Sequence, residues 1–149
     1  MTSSTDQLKR SVTVLEMAHR VHQELNDRAT SAAGLTLNQA LVLSEIESAK
    51  GRSTVSELAG TLGRAVHTLT SAVNGLERKK MVVRQSIKGE DRRIIRIAIT
   101  DEGRDALKAF RTSIENVIDV VRKGPFDANP PIEVEHSTKA MIKLLTEGK

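Results

Sequence analysis

The run from Thr54 to Thr100, TVSELAGTLGRAVHTLTSAVNGLERKKMVVRQSIKGEDRRIIRIAIT, changes its apolar period part-way and so decides the fold. Thr54-Val55-Ser56-Glu57 is a capping-box signature, in which the threonine oxygen accepts from the backbone N–H three residues on and the glutamate reaches back. It opens a short helix with Leu58, Ala59 and Leu62 inward, and Gly63 supplies the turn that follows. A second helix spans Ala65 to Lys79. Val66, Leu69, Val73 and Leu76 recur at helical spacing and form its packing face, while Arg64, His67, Ser71, Asn74 and Arg78 fall on the opposite side. From Met81 the period shortens to two. Met81 to Ile87 and Arg93 to Ile99 read as strands, the second with Ile95, Ile97 and Ile99 on one face, and Lys88-Gly89-Glu90-Asp91-Arg92 has the glycine and acid of a hairpin tip. Helix, turn, helix, strand, loop and strand is the order of a helix-turn-helix with a wing.

Upstream, Leu8 to Ala29 reads as a long helix whose apolar residues cover a wide arc. Leu8, Val12 and Leu15 define one side, and Val14, Met17, Ala18, Val21 and Leu25 lie well round from it. Such a helix needs two partners, and in so small a chain the second is expected to be another copy. Thr36-Leu37-Asn38-Gln39 is a second capping box, opening a helix with a mostly apolar body (Leu37, Ala40, Leu41, Val42, Leu43, Ile46) that Lys50-Gly51 closes. Downstream, Thr100 caps a helix with Asp101 and Glu102 in its first turn. Its stripe of Ala106, Leu107, Phe110, Ile114, Val117, Ile118 and Val121 stops at Gly124-Pro125. After Asn129-Pro130-Pro131, a last helix is expected over Ile132 to Leu145. The expected fold is mainly α with a small β wing, one domain over 1–149. The winged part occupies 35–100, and dimerisation helices lie at 6–30 and 101–147.

The chain has 149 residues, 38% of them hydrophobic, enough for a real core. It has no cysteine, which removes disulfides, thiolate metal sites and thiol nucleophiles. The first ten residues carry no apolar stretch for secretion and no later segment is long enough to span a bilayer, so the expectation is a cytoplasmic protein without membrane contact. The net charge of +4 is unevenly spread. Between Lys50 and Arg96 there are 11 Lys and Arg against 4 Asp and Glu, a net of +7, which leaves the remainder at −3. Positive charge concentrated on the winged segment is the footprint of a domain that meets a polyanion, although a merely solvated basic face has the same composition.

In these features the sequence resembles the multiple antibiotic resistance regulator (MarR) family of winged-helix transcription factors. The most specific part is the wing. The family carries an Asp-x-Arg pair, a strand and then Leu-Thr-x-x-Gly; here Asp91-Arg92-Arg93 is followed by Ile94 to Ala98 and then by Ile99-Thr100-Asp101-Glu102-Gly103. Glu57-Leu58-Ala59, Leu62-Gly63 and Leu76-Glu77 stand where the family's helix-turn-helix has them. Two positions depart from the pattern. Ala65 stands where a serine or threonine usually caps the recognition helix, and Lys80 where a glycine usually precedes the first wing strand.

The resemblance implies a homodimeric regulator of double-stranded DNA, a repressor by family habit, released by a small aromatic or phenolic effector. Two recognition helices in successive major grooves, roughly 34 to 36 Å apart, call for a pseudo-palindromic site. His67, Thr68, Ser71 and Asn74 are the candidates for base edges, with Arg64 and Arg78 on phosphates. In the wing, Asp91 would orient Arg93 into the minor groove, whose negative potential suits a guanidinium, while Lys88 and Arg92 meet the backbone. The plain alternative for the pair is an exposed ion pair. His19 and His22 share the face of Leu8, Val12 and Leu15, and the resemblance places an effector pocket near the join between the dimer helices and the winged domain. Either histidine is an effector contact or a satisfied core or interface residue; as i, i+3 histidines without cysteine they are a poor metal site. No phosphate loop, nucleophile motif or distinctive carboxylate pair points to an enzyme or a cofactor. Phe110 and Phe126 are the only aromatics of the Phe, Trp and Tyr class, too few for single-strand stacking. The alternative function is a winged-helix dimer that serves protein interaction without sequence-specific DNA binding.

Overall fold

The computed structural model describes residues 3–122, in the order α1 (Ser4–Ala33), α2 (Leu37–Ser48), α3 (Val55–Thr61), α4 (Val66–Arg78), β1 (Val82–Gln85), β2 (Arg96–Ile99) and α5 (Asp101–Arg122). The expected stop at Gly124-Pro125 and the helix over Ile132 to Leu145 lie outside the described residues.

α1 is longer at both ends than its apolar pattern predicts. Ser3 accepts from the backbone N–H of Thr5, and the helix runs on to Gly34, which adopts φ +63°. There the N–H of Gly34 reaches Thr30 O, the 5→1 bond of an αL helix end, and that of Leu35 reaches back to Ala29 O. Both expected capping boxes form, Thr36 with Gln39 and Thr54 with Glu57, each with its two reciprocal bonds.

α2 lies at the centre, with Ala40, Val42, Leu43 and Ile46 fully buried. α1 and α5 pack against each other, α4 packs on α2 and α3, and Leu69, Val73, Leu76, Leu107, Phe110 and Ile114 complete one continuous core. Burying each of the larger aliphatic side chains contributes about 1.5–3 kcal/mol relative to exposure. Gly75 has a packing role inside α4: a Cβ there would stand 2.6 Å from Gln39 Nε2, so the glycine lets the α2 cap press against the helix.

Two expected core positions are corrected. Val66 is 50% exposed, because the first turn of α4 stands clear of the body and packing begins at Leu69. Ile95 also faces solvent, while Ile97 and Ile99 are buried. The strands are shorter than the alternation suggested: β1 and β2 pair antiparallel from Val82↔Ile99 to Gln85↔Arg96, and the wing loop over 86–95 projects beyond any layer that could cover it. The free edge of β2 receives one further bond, from Ile97 N–H to Ser53 O at 2.9 Å.

The junction after α4 explains the unusual Lys80. Lys80 N–H bonds Glu77 O and Met81 N–H bonds Leu76 O, a Schellman end, and Lys80 occupies its left-handed position at φ +59°. Glycine takes that conformation without the Cβ penalty of about 1–2 kcal/mol. Lys80→Gly is therefore expected to raise stability in chemical denaturation by about 1 kcal/mol, part of the relief being offset by the freer unfolded chain.

Candidate nucleic-acid interface

α4 turns one face to the core and leaves the other open. Arg64, His67, Ser71, Asn74 and Arg78 are all exposed, as the spacing predicts, and Thr68 is half-buried at the edge of the row. Ala65 holds the extended geometry of an N-cap, φ −66° and ψ 141°, but offers no side-chain acceptor. Ala65→Ser would supply one to the first-turn N–H groups, and a gain of about 1 kcal/mol in unfolding free energy is expected.

The far end of the row is tied to the wing. Arg84 shares the sheet face of Val82, Ile97 and Ile99 through strand alternation, and that face looks toward α4. Its guanidinium forks across the helix surface: one nitrogen donates to Asn74 Oδ1 at 2.7 Å and the other pairs with Glu77 Oε2. At the helix end Lys79 Nζ bonds Gln39 Oε1 at 2.9 Å and also the carbonyl of Gly34. The base of the wing is held by Arg96, whose side chain is 16% exposed. It bonds Glu57 on α3, Glu90 in the loop and the carbonyl of Arg52. The Thr54 backbone N–H, and then Arg96, hold the Glu57 carboxyl below its ordinary range, while Glu90 foremost raises Arg96 above its own.

In the loop, Asp91 acts on the backbone. Its Oδ1 accepts from Arg93 N–H at 2.9 Å and its carbonyl accepts from Ile94 N–H, with Gly89 at φ +94° turning the tip. The expected contact of this acid with Arg93 is thus made to the main chain. The Arg93 side chain is exposed and borders a groove of about 420 Å³ between the wing and the start of α3, with Thr54, Ser56, Arg84 and Ile95. Among the described residues, Arg64, Arg78, Lys88, Arg92 and Arg93 form no ion pair, whereas Arg84 and Arg96 are both neutralised. Cations without an ion pair therefore stand at both ends of α4 and in the wing loop.

His19 and His22 are exposed on α1, on the same outer strip as Leu8 at 66% and Leu15 at 69% exposure. Neither borders the groove beside the wing, nor a second cavity of about 340 Å³ lined by Glu47, Lys50, Gln85 and Arg104 where α2, the sheet and α5 meet. Sequence reading missed Arg84 and Arg96. Strand alternation from Val82 points to Arg84, but no local spacing reveals the helix residues it reaches. No helix among the described residues is long and apolar enough to cross a membrane.

Residues 33–94, which contain α2 to α4 and most of the wing loop, match the model of the MarR family. The MarR-type fold is also shared with solved structures over almost the whole length. MepR of Staphylococcus aureus, solved as a MepR–DNA complex, is 20% identical with TM-score 0.68, the match covering 92% of this chain and 96% of that one. A MarR-family transcriptional regulator from Rhodococcus sp. RHA1 is 18% identical with TM-score 0.69, covering 98% and 99%. The regulator BldR from Sulfolobus solfataricus is 22% identical with TM-score 0.64, covering 99% of each chain. No curated protein is a significant sequence match.

Proposed function

We propose that this chain is a homodimeric, sequence-specific regulator of duplex DNA of the MarR type, a repressor that lets go when a small aromatic or phenolic molecule binds. The observation that carries the reading is the bracket of cations, unpaired among the described residues, around the outer row of α4: Arg64 and Arg78 at its ends, Lys88, Arg92 and Arg93 in the wing. α4 would lie in the major groove, with His67, Thr68, Ser71 and Asn74 toward base edges, and Arg93 would enter the minor groove. The fold shared with MepR, which is solved on DNA, supports the same reading.

The exposed strip of Leu8, Val12 and Leu15 supports a dimer seam along α1, with His19 and His22 beside it. An effector bound near that seam would act by preferring a dimer whose recognition helices no longer fit the groove spacing, a difference in affinity between two shapes.

A titration with the DNA upstream of the protein's own gene, at two salt concentrations and with non-specific competitor, tests the proposal. Tight, competitor-resistant binding is expected, with log K falling about 0.9 per neutralised phosphate for each unit of log salt. Weak binding, equal for all duplexes, would overturn it and favour the protein-interaction module.

A further inference from the structure

We infer that Arg84 is a positioning residue for base readout: by holding Asn74 Oδ1 against the wing strand, it fixes the Asn74 carboxamide with its NH2 group as the end offered to DNA. This rests on the reading of α4 as the recognition helix. A guanidinium has five donors and no acceptor, so the atom it meets at 2.7 Å must be the amide oxygen. The amide cannot rotate by half a turn without setting NH2 against the cation. Glu77, one helical turn further on the same face, pairs with the other nitrogen of the fork, so Arg84 is itself held at two points. Arg84 is also placed by the sheet: its register partner is Ile97, and its side chain leaves the sheet on the face that looks toward α4. The wing strand thereby sets the polarity of a residue on the helix that it does not itself belong to.

The chemical consequence is selective. An amide free to turn can present either its oxygen or its NH2 and accommodates every base edge. One fixed with NH2 outward needs an acceptor, such as N7 of a purine, O6 of guanine or O4 of thymine. It meets the N4 amino group of cytosine donor to donor. Arg84 therefore contributes discrimination against cytosine at one position of each half-site.

The test selects sites from a randomised duplex library with the full chain, comparing the unaltered protein with Arg84→Ala, Asn74→Ala and the double variant. Asn74→Ala identifies the base position by relaxing it. At that position the unaltered protein should disfavour cytosine about tenfold, the scale of one mismatched contact. Arg84→Ala should reduce this to about twofold or less while preferences elsewhere persist, and should add nothing to Asn74→Ala. Arg84→Lys, which keeps the charge but not the fork, should relax the same position and serves if Arg84→Ala does not fold. Identical preference profiles with and without Arg84 would overturn the inference alone. So would a uniform loss across all duplexes with a salt slope shallower by about 0.9, the sign of a phosphate contact. No sequence preference in the unaltered protein would overturn both this and the DNA-regulator reading.

Discussion

Gly103→Ala is expected to destabilise the folded chain by more than about 3 kcal/mol, at the upper end of what overpacking does. Gly103 is buried in the first turn of α5, and a Cβ on it would stand 2.2 Å from the carbonyl oxygen of Met81, 2.8 Å from Ile99 Cγ1 and 3.1 Å from the Met81 carbonyl carbon. The nearest obstacle is main chain and cannot swing aside. The same carbonyl accepts from Thr100 N–H at 3.0 Å, so moving it breaks a bond that joins the sheet to α5. Thr100 adds two more ties, its Oγ1 donating to Lys80 O at 2.7 Å and accepting from Gly103 N–H at 3.1 Å. Chemical denaturation measures the loss, and Gly60→Ala is the control. A Cβ at Gly60 has no neighbour within 4 Å, so alanine there should be neutral or stabilising by up to about 1 kcal/mol. Equal stability of Gly103→Ala and the unaltered chain would show that the junction is looser than its geometry.

That junction also shows what a sequence conveys and what it withholds. Thr100-Asp101-Glu102-Gly103 is legible as a family pattern and as a helix cap, yet the reason for the glycine lies with Met81, some twenty residues earlier in the chain. Capping boxes were readable because both partners sit within three residues, and the open row of α4 because helical spacing alone sorts its faces. Val66 and Ile95 have the right period but the wrong depth: periodicity tells which way a residue points, not how far the neighbouring layer extends. Arg84 and Arg96 looked like part of a basic patch, and only the fold brings Glu77, Glu57 and Glu90 to them. Once those are neutralised, the charge left for a partner is smaller than the composition implied. Lys80 is the converse case, a departure from a family glycine whose meaning appears only with its φ of +59°.

Arg93→Ala is expected to lower affinity for the specific DNA site about 10- to 100-fold, corresponding to the roughly 1–3 kcal/mol of a specific arginine contact, without measurable loss of stability. Stability is spared because the structural bond at this position is made by the main chain: Asp91 Oδ1 holds the Arg93 N–H, which alanine retains. The guanidinium forms no ion pair among the described residues, so its removal leaves no partner unpaired and its insertion into a groove breaks nothing in the protein. The Asp91 bond shapes the turn from which the side chain projects. Asp91→Ala should therefore reduce affinity by a smaller factor, by letting the loop wander, while leaving the charge intact. Arg93→Lys should fall between the two, since an ammonium is more strongly hydrated than a guanidinium and less suited to a narrow groove. A minor-groove role adds a second signature: A·T-rich flanks, which narrow the groove, should lose their advantage over G·C-rich flanks in Arg93→Ala. Titrations of both flank types at two salt concentrations separate the cases. An unchanged affinity and salt slope would remove Arg93 from the interface, and an equal loss on both flanks would move it from the groove to the phosphate backbone.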